Sequence, residues 1–415
     1  MSMERTERPL NNKLYVEKKS MTEQVLTGVR VLDLTHYIAG PYCTRILAGF
    51  GADVIKIEKP GEGDPARHLG PFLDDEPGLE RSGLFLYLNS NKKSITLNLK
   101  TATGLKIFRG MVKEADIVVE NFRPGVMARL GLDYQTLKEI NPGLIMTSIS
   151  NFGQTGPYRD YKSAHLIAWG MSGVRYSDGA PGVRPVQIGG WLTHYITGLF
   201  ATAGTTAALY HRNRTGEGRY IDISMMESTI LITCYPVVAY SYLGQLHNAI
   251  SKERLGLFQC KDGYIGLNLF GRLNMEIMSS FFGIPELGED PRLQDPTLIP
   301  ELLEEAIAKI TPKVKEREKK ELFLSGVEWR IPVGLVPTTG EILDSPQHKD
   351  RGFFEEIDHP VAGRITMPGV PFKMTETPAQ LRSPAPLLGE HNEDIYAALG
   401  YSTKDQTSLR ETGVI

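Results

Sequence analysis

Apolar runs and helix-period segments alternate over the first third of the chain. VRVLDLT (29–35) reads as a strand, AGPYCTRILAGFG (39–51) has helical spacing ending on glycine, and DVIKIE (53–58) is again a strand. Strand, helix and strand within about thirty residues make a βαβ unit, which requires parallel pairing. The alternation continues with KSITLNL (93–99), TGLKIFRGMVKEA (103–115), DIVVEN (116–121), YQTLKEI (134–140) and LIMTSIS (144–150) as strand, helix, strand, helix and strand. This is the pattern of a doubly wound α/β region. LFATAGTTAALYHR reads as a tightly packed helix, and His194 of GGWLTHYITG falls where that helix should begin.

The pattern changes further on. CKDGYIGLNL (260–269) reads as a hairpin arm or strand, and NMEIMSSFFG and PELLEEAIAKITPKVKEREKKELFLSG (300–326) as helices. These predict a second, smaller α+β unit. GRITMPGVPFKM (363–374) is strand material, NEDIYAALGY (392–401) a short helix, and SPAPLLGEH (383–391) an ordered loop. The expected organisation is a polar arm at 1–24, a large domain begun at 25–225, a small domain at 226–335, and a linker and return to the large domain at 336–415.

Composition narrows the class. Hydrophobic content of 41% and charged content of 23% are ordinary for a soluble globular protein. A net charge of −3 provides no global field for nucleic acid or anionic membrane, so neither is an expected partner. The three cysteines, Cys43, Cys234 and Cys260, lie far apart without His at ligand spacing. That excludes a disulfide scaffold and gives no metal site. There is no run of eighteen apolar residues, and MSMERTERPLNNKLYVEKKS lacks the apolar centre of a signal peptide, so a cytoplasmic protein is expected.

The motifs exclude several chemistries. THYIAGPY after the first strand does not fit GxGxxG, and neither GxxxxGK[ST] nor GxSxG occurs. A nicotinamide dehydrogenase and a nucleophile-elbow hydrolase are therefore not expected. One basic cluster stands out: Lys92 and Lys93 precede a strand, NFRPG (121–125) follows a strand directly, and Arg129 comes four residues after Gly125. In open α/β sheets, ligands bind beyond the carboxyl ends of strands. Arg and Lys there suit phosphate, and Phe and Arg offer flat faces for a purine. His165 and His194, taken singly, fit hydrogen-bonded interior histidines as well as catalytic ones.

THYIAGPY, GFGADVIKIEKPGEGDPAR, LYLNSNKKSITLNLK, VVENFRPGVMARLGLDY, SISNFGQTGPYRD, AALYHRNRTGEGRYIDISMMES and VAGRITMPGVPFKMTETPAQLRSPAPLLGEH occur in this order. Over roughly residues 25–415 the chain resembles the class III CoA-transferases, the carnitine and formyl-CoA transferase family (CaiB/BaiF type). The resemblance implies a Rossmann-like large domain built from both chain ends, an inserted small α+β domain, and two chains interlocked as a dimer. It implies coenzyme A or an acyl-CoA as substrate, with no tightly bound cofactor. Lys59 and Lys92 match positions near the phosphates and pantetheine. Asn121, Phe122, Arg123 and Arg129 match the adenine and phosphate contacts.

Departures from the family pattern matter as much. His194 occupies the position of the aspartate that attacks the thioester. That carboxylate must be both nucleophile and leaving group, and a helix start stabilises it as an anion. The same dipole disfavours imidazolium, so His194 is expected to be neutral, and imidazole does not support the anhydride-to-thioester sequence. His165 stands where the family carries Asp or Glu, and Ile38 where a Gln polarises the thioester. The glycine-rich covering loop has no obvious counterpart around 245–262. The resemblance then implies the non-catalytic subunit of a heteromeric class III enzyme, a heterodimer or heterotetramer completed by a homologous subunit carrying the Asp. Its expected donor is an acyl-CoA such as succinyl-CoA, and its acceptor an organic acid. Anaerobic aromatic degradation, with an aromatic dicarboxylic acid such as benzylsuccinate, is one such setting. Three alternatives stay open: an acyl-CoA racemase or isomerase using His165 and His194 as bases, a transferase that uses an unrecognised nucleophile, and a CoA-binding protein without turnover.

Overall fold

In the computed structural model, residues 23–174, 189–232, 234–244, 256–268, 272–295 and 298–415 are described. The polar arm expected at 1–24 falls almost wholly outside them, and so does much of the span where a covering loop was sought. Six parallel strands form the main sheet: β1 (Arg30–Asp33), β2 (Asp53–Glu58), β3 (Lys92–Thr96), β4 (Ile117–Glu120), β5 (Ile145–Ser150) and β6 (Tyr220–Ser224). Their order is β3-β2-β1-β4-β5-β6. This is the doubly wound order, in which the chain reverses direction between β1 and β4. It is at this switch point that such sheets place their ligand crevice.

Sequence alternation explains the layers. Val31, Val54, Ile117, Val119 and Ile145 face one side, where α1 (Ala39–Gly49) contributes Cys43 and Leu47. Leu32, Ile55, Ile57, Ile95, Val118 and Met146 face the other, with Ile107 and Phe108 of α3 and Leu137 of α5. Here α2 is Gly83–Leu88, α3 is Ala102–Val112, α4 is Val126–Arg129 and α5 is Tyr134–Ile140. A sheet covered on both faces reads as apolar runs rather than strict alternation. Thr101 caps α3 and Asp133 caps α5 through side-chain oxygens, which fixes where each helix starts. Two further helices matter to the site: α6 (His165–Met171) and α7 (Leu192–Thr215), which ends on left-handed Gly216.

A second buried cluster comprises Phe258, Ile265, Met275, Met278, Leu302, Ile310 and Leu322. It lies under the antiparallel sheet of β7 (Leu257–Cys260), β8 (Gly263–Leu267) and β9 (Val333–Val336). Its helices include Arg272–Phe282, Ile299–Lys315 and Lys319–Glu328. Beyond it, β10 (Phe354–His359) pairs with β11 (Gly363–Pro368), so the strand expected over 363–374 stops at the proline. The chain then returns to the first core. Tyr396, Leu409, Val414 and Ile415 are buried with Ile95 and Leu97, and Tyr396 donates its hydroxyl hydrogen to the Thr96 carbonyl at 2.6 Å.

Candidate functional site

The crevice between β1 and β4 is closed at its base by one amide. Asn121 Oδ1 accepts from the His36 N–H at 2.8 Å, and its Nδ2 donates to the His36 carbonyl, also at 2.8 Å. The loop after β1 is thereby fastened to the loop after β4. The Phe122 ring meets His36 edge-on at 5.4 Å. Asn121 therefore spends its side chain shaping the loop.

The rest of NFRPG is open to solvent. Arg123 and Arg129 are exposed. Gly125, at φ 80°, begins α4. A Cβ there would lie 3.4 Å from Arg129 Nη1 and 3.9 Å from Arg159 Nη2. Two guanidinium groups thus flank a residue that has no side chain, and only glycine leaves that space free. Arg159, in the GPYRD stretch, was not singled out in the sequence. A signal was present, since an Arg beside Gly and Pro in a loop after a strand is placed as Arg123 is. Convergent guanidinium groups on an open loop suit a polyanion, through charge-assisted and bidentate hydrogen bonds.

Behind this loop lies Glu120, the last residue of β4, also missed from sequence. It is buried, and its Oε2 accepts the Phe122 N–H at 2.8 Å. Burial pushes its pKa up to about 7. The Ser148 hydroxyl and the Phe122 N–H oppose the rise, and the Asp222 carboxylate adds to it.

The two lysines separate. Lys59 is exposed and bonds Glu62, so it stands at the surface on the β2 side of the crevice. Lys92 lies inside the fold. Its ammonium is enclosed and donates to Asp33 Oδ2 at 3.0 Å, the Pro41 carbonyl at 3.0 Å and Asn89 Oδ1 at 2.9 Å, which uses all three protons. Lys92 starts a strand covered on both faces, and the alternation sends Lys93 outward and Lys92 in.

Lys92 belongs to a buried ionic network under β1–β3. Lys56 pairs with Asp64 at 2.8 Å. Arg67 forks onto Glu58 at 2.8 and 2.9 Å and reaches Glu80 at 2.6 Å. Burial alone would raise the Asp33 pKa, but Lys92, Lys56 and the Thr35 and Thr44 hydroxyls outweigh it and hold the carboxyl far below its usual range. Burial lowers Lys92 to about 8 against the pull of Asp33.

The β1–α1 loop leads from this crevice to the histidines. Gly198 of α7 packs so closely on α1 that a Cβ would lie 2.6 Å from the Ala39 carbonyl, and Tyr195 meets Tyr42 edge-on at 4.9 Å. His194 is the third residue of α7, as expected for a helix start. The His165 and His194 rings are 6.0 Å apart, and Trp191 lies 5.8 Å from the first and 5.7 Å from the second. His165, at the start of α6, is buried with Nδ1 2.6 Å from Thr193 Oγ1. Burial, with a smaller contribution from His165, lowers the His194 pKa to about 4, so its imidazole is neutral at physiological pH. Trp191 is exposed, whereas Trp169 and Ile38 are buried. Among the described residues, no cluster of three or more His, Cys, Asp or Glu could hold a metal ion.

A doubly wound sheet with cationic loops at its switch point suits an anionic, nucleotide-like ligand. The chain belongs to CoA-transferase family III, whose model matches residues 26–392. It is 35% identical over 389 residues to the succinyl-CoA:mesaconate CoA-transferase of Haloarcula marismortui, spanning 91% of this chain and 97% of that one. It is 33% identical to the succinyl-CoA:glutarate CoA-transferase of Mus musculus, over 89% of this chain and 85% of the other. A crystal structure of a CAIB/BAIF family protein from Brucella suis superposes with a TM-score of 0.81 at 30% identity, covering 91% of this chain and all of that one. The chain is thus a class III CoA-transferase homologue, and CoA thioesters are the substrates of that chemistry. Among the described residues, no helix is long and apolar enough to cross a membrane.

Proposed function

We propose that this chain is the non-catalytic subunit of a heteromeric class III CoA-transferase, working with a homologous subunit that carries the nucleophilic aspartate. The observation that carries this is the state of His194. At the helix start where an aspartate would attack, the chain places a neutral imidazole lowered to about 4, with another histidine beside it. A carboxylate can leave from the mixed anhydride and re-form the thioester, whereas a neutral imidazole has no equivalent cycle. Several curated relatives are named for succinyl-CoA, which supports an acyl-CoA of that kind as donor. The acceptor is an organic acid, and an aromatic dicarboxylic acid such as benzylsuccinate is one candidate.

Coenzyme A is placed along Asn121–Arg129, with Lys59 at its rim. The partner is placed on the apolar faces left uncovered. Leu166, Ile167 and Met171 of α6, Leu199 and Phe200 of α7, and Val237 and Val238 of the helix Cys234–Leu243 are all exposed. Such an area calls for cover. An interlocked arrangement would provide it, with 226–335 as an inserted small domain and the cytoplasm as setting. Acyl-CoA racemisation by His165 and His194 is less favoured, because a base lowered to about 4 abstracts an α-proton poorly at neutral pH.

The test uses the complex. The chain is co-purified with a homologous chain from its source, and CoA transfer from succinyl-CoA is assayed. His194→Ala should leave activity within about twofold, while replacing the partner's aspartate should abolish it. Full activity of the lone chain, lost on His194→Ala, would overturn the proposal.

A further inference from the structure

The row of residues behind the ligand loop carries an inference that rests on the coenzyme A placement above. Glu120 ends β4, and its neighbours in register are Ser148 of β5 and Asp222, mid-strand in β6. Glu120 and Ser148 are buried, and Asp222 is exposed, accepting the Gln154 N–H at 2.9 Å. Among the described residues Glu120 makes no ion pair with any cation. Its neighbours are all neutral or acidic. From β5 comes the Ser148 hydroxyl, and from β6 the Asp222 carboxylate and the Tyr220 phenol, itself shifted upward first by burial and also by both acids. Tyr134 of α5 lies on Tyr220 with ring centroids 5.5 Å apart. From the β1 loop, His36 reaches only as far as the Phe122 ring.

This arrangement differs from every other strand-end acid in the sheet. Asp33 and Glu58 are each bonded to a buried cation. Glu120 instead holds the backbone of the loop whose arginines face the ligand. We propose that Glu120 is a proton-coupled positioning residue: an anionic ligand seated on Arg123 and Arg129 draws one proton from solvent onto the Glu120 carboxylate, which keeps its grip on the Phe122 N–H through the remaining carbonyl oxygen. The balance is simple. One proton leaves the buffer, one O–H bond forms at Glu120, and no bond to the ligand is made or broken. The neutral carboxyl no longer opposes the phosphates, while in the free chain its burial leaves the group poised near neutrality. By reciprocity, a ligand that favours the protonated form binds more tightly as pH falls.

The probe is 3′-dephospho-coenzyme A, because the phosphomonoester of coenzyme A titrates near pH 6 and would mask the effect. Binding is measured by calorimetry between pH 5.5 and 8.5, in buffers of different ionisation enthalpy so that protons are counted. The expected result is fractional proton uptake near pH 7, with affinity on the order of threefold higher at pH 6 than at pH 8. Glu120→Gln, which keeps an acceptor for the Phe122 N–H but cannot ionise, should bind without uptake in that window. Asp222→Asn, at an exposed position, should move the uptake to lower pH, because Asp222 acts to keep Glu120 protonated. Wild-type binding without proton uptake, or uptake unchanged in Glu120→Gln, would overturn the proposal and leave the coenzyme A placement standing. Failure of wild type to bind coenzyme A itself at any pH would overturn both.

Discussion

One edge of a single sheet uses the same residue types in two opposite ways. Under β1–β3, Lys56, Arg67 and Lys92 are enclosed and matched to Asp33, Glu58, Asp64 and Glu80. Beyond β4, Arg123 and Arg129 stand in solvent at a loop whose nearest buried acid, Glu120, faces the backbone instead of them. The first set is closed: every charge has its partner inside the chain. The second is open and needs a partner from outside. A charge buried without a partner costs several kcal/mol, whereas an exposed one costs almost nothing to keep. Closed charges therefore report on the fold and open ones on the ligand.

The largest effect that would break this contrast lies in the closed set. Arg67→Ala should destabilise the protein by about 3–5 kcal/mol in thermal or urea unfolding, because Glu58 is left buried without its fork. A loss below about 1 kcal/mol would mean that water reaches Glu58 and that the set is not closed.

A second effect concerns the histidines. The folded chain lowers His194 from 6.5 to about 4, so between those values the unfolded chain binds more protons. Stability contributed by neutral His194 is present above pH 6.5 and is lost as pH falls toward 4, by at most about 3 kcal/mol. His194→Gln should flatten that acid limb, and an unchanged limb would show that other groups control it.

In the open set, Arg129→Ala should weaken coenzyme A binding about tenfold and make it less salt-dependent, with stability changed by less than about 0.5 kcal/mol. Equal loss of stability would move Arg129 into the closed set. Smallest of all, Lys59→Ala removes an exposed pair with Glu62 and should shift unfolding by less than about 0.5 kcal/mol.

The fold was legible wherever apolar period and turn chemistry agreed. DVIKIE and YQTLKEI are a strand and a helix over the expected residues, and the other early strands differ by a few residues at their ends. The sixth strand, YIDIS, was missed because its alternation follows a long helix and places Asp222 mid-strand. The site was legible in part. NFRPG could be found because strand ends carry ligands in such sheets, and His194 because it stands at a helix start. Lys92 could not be sorted from Lys59 by type alone. The clue was available in NKKSIT and DVIKIE: a charged residue in a strand covered on both faces must be paired, so Lys92, Lys56 and Glu58 predict partners rather than ligands. Glu120 gave no such clue, because its neighbours Ser148 and Asp222 come from strands far along the chain.

The returning segment bears on how the protein is made. The edge strand β3 is covered by Tyr396, Leu409, Val414 and Ile415, about 300 residues downstream. During synthesis, Ile95 and Leu97 leave the ribosome long before this returning segment can pack on them. The sheet that emerges first is therefore among the last parts to be finished. Until then its uncovered edge is open to pairing with other chains.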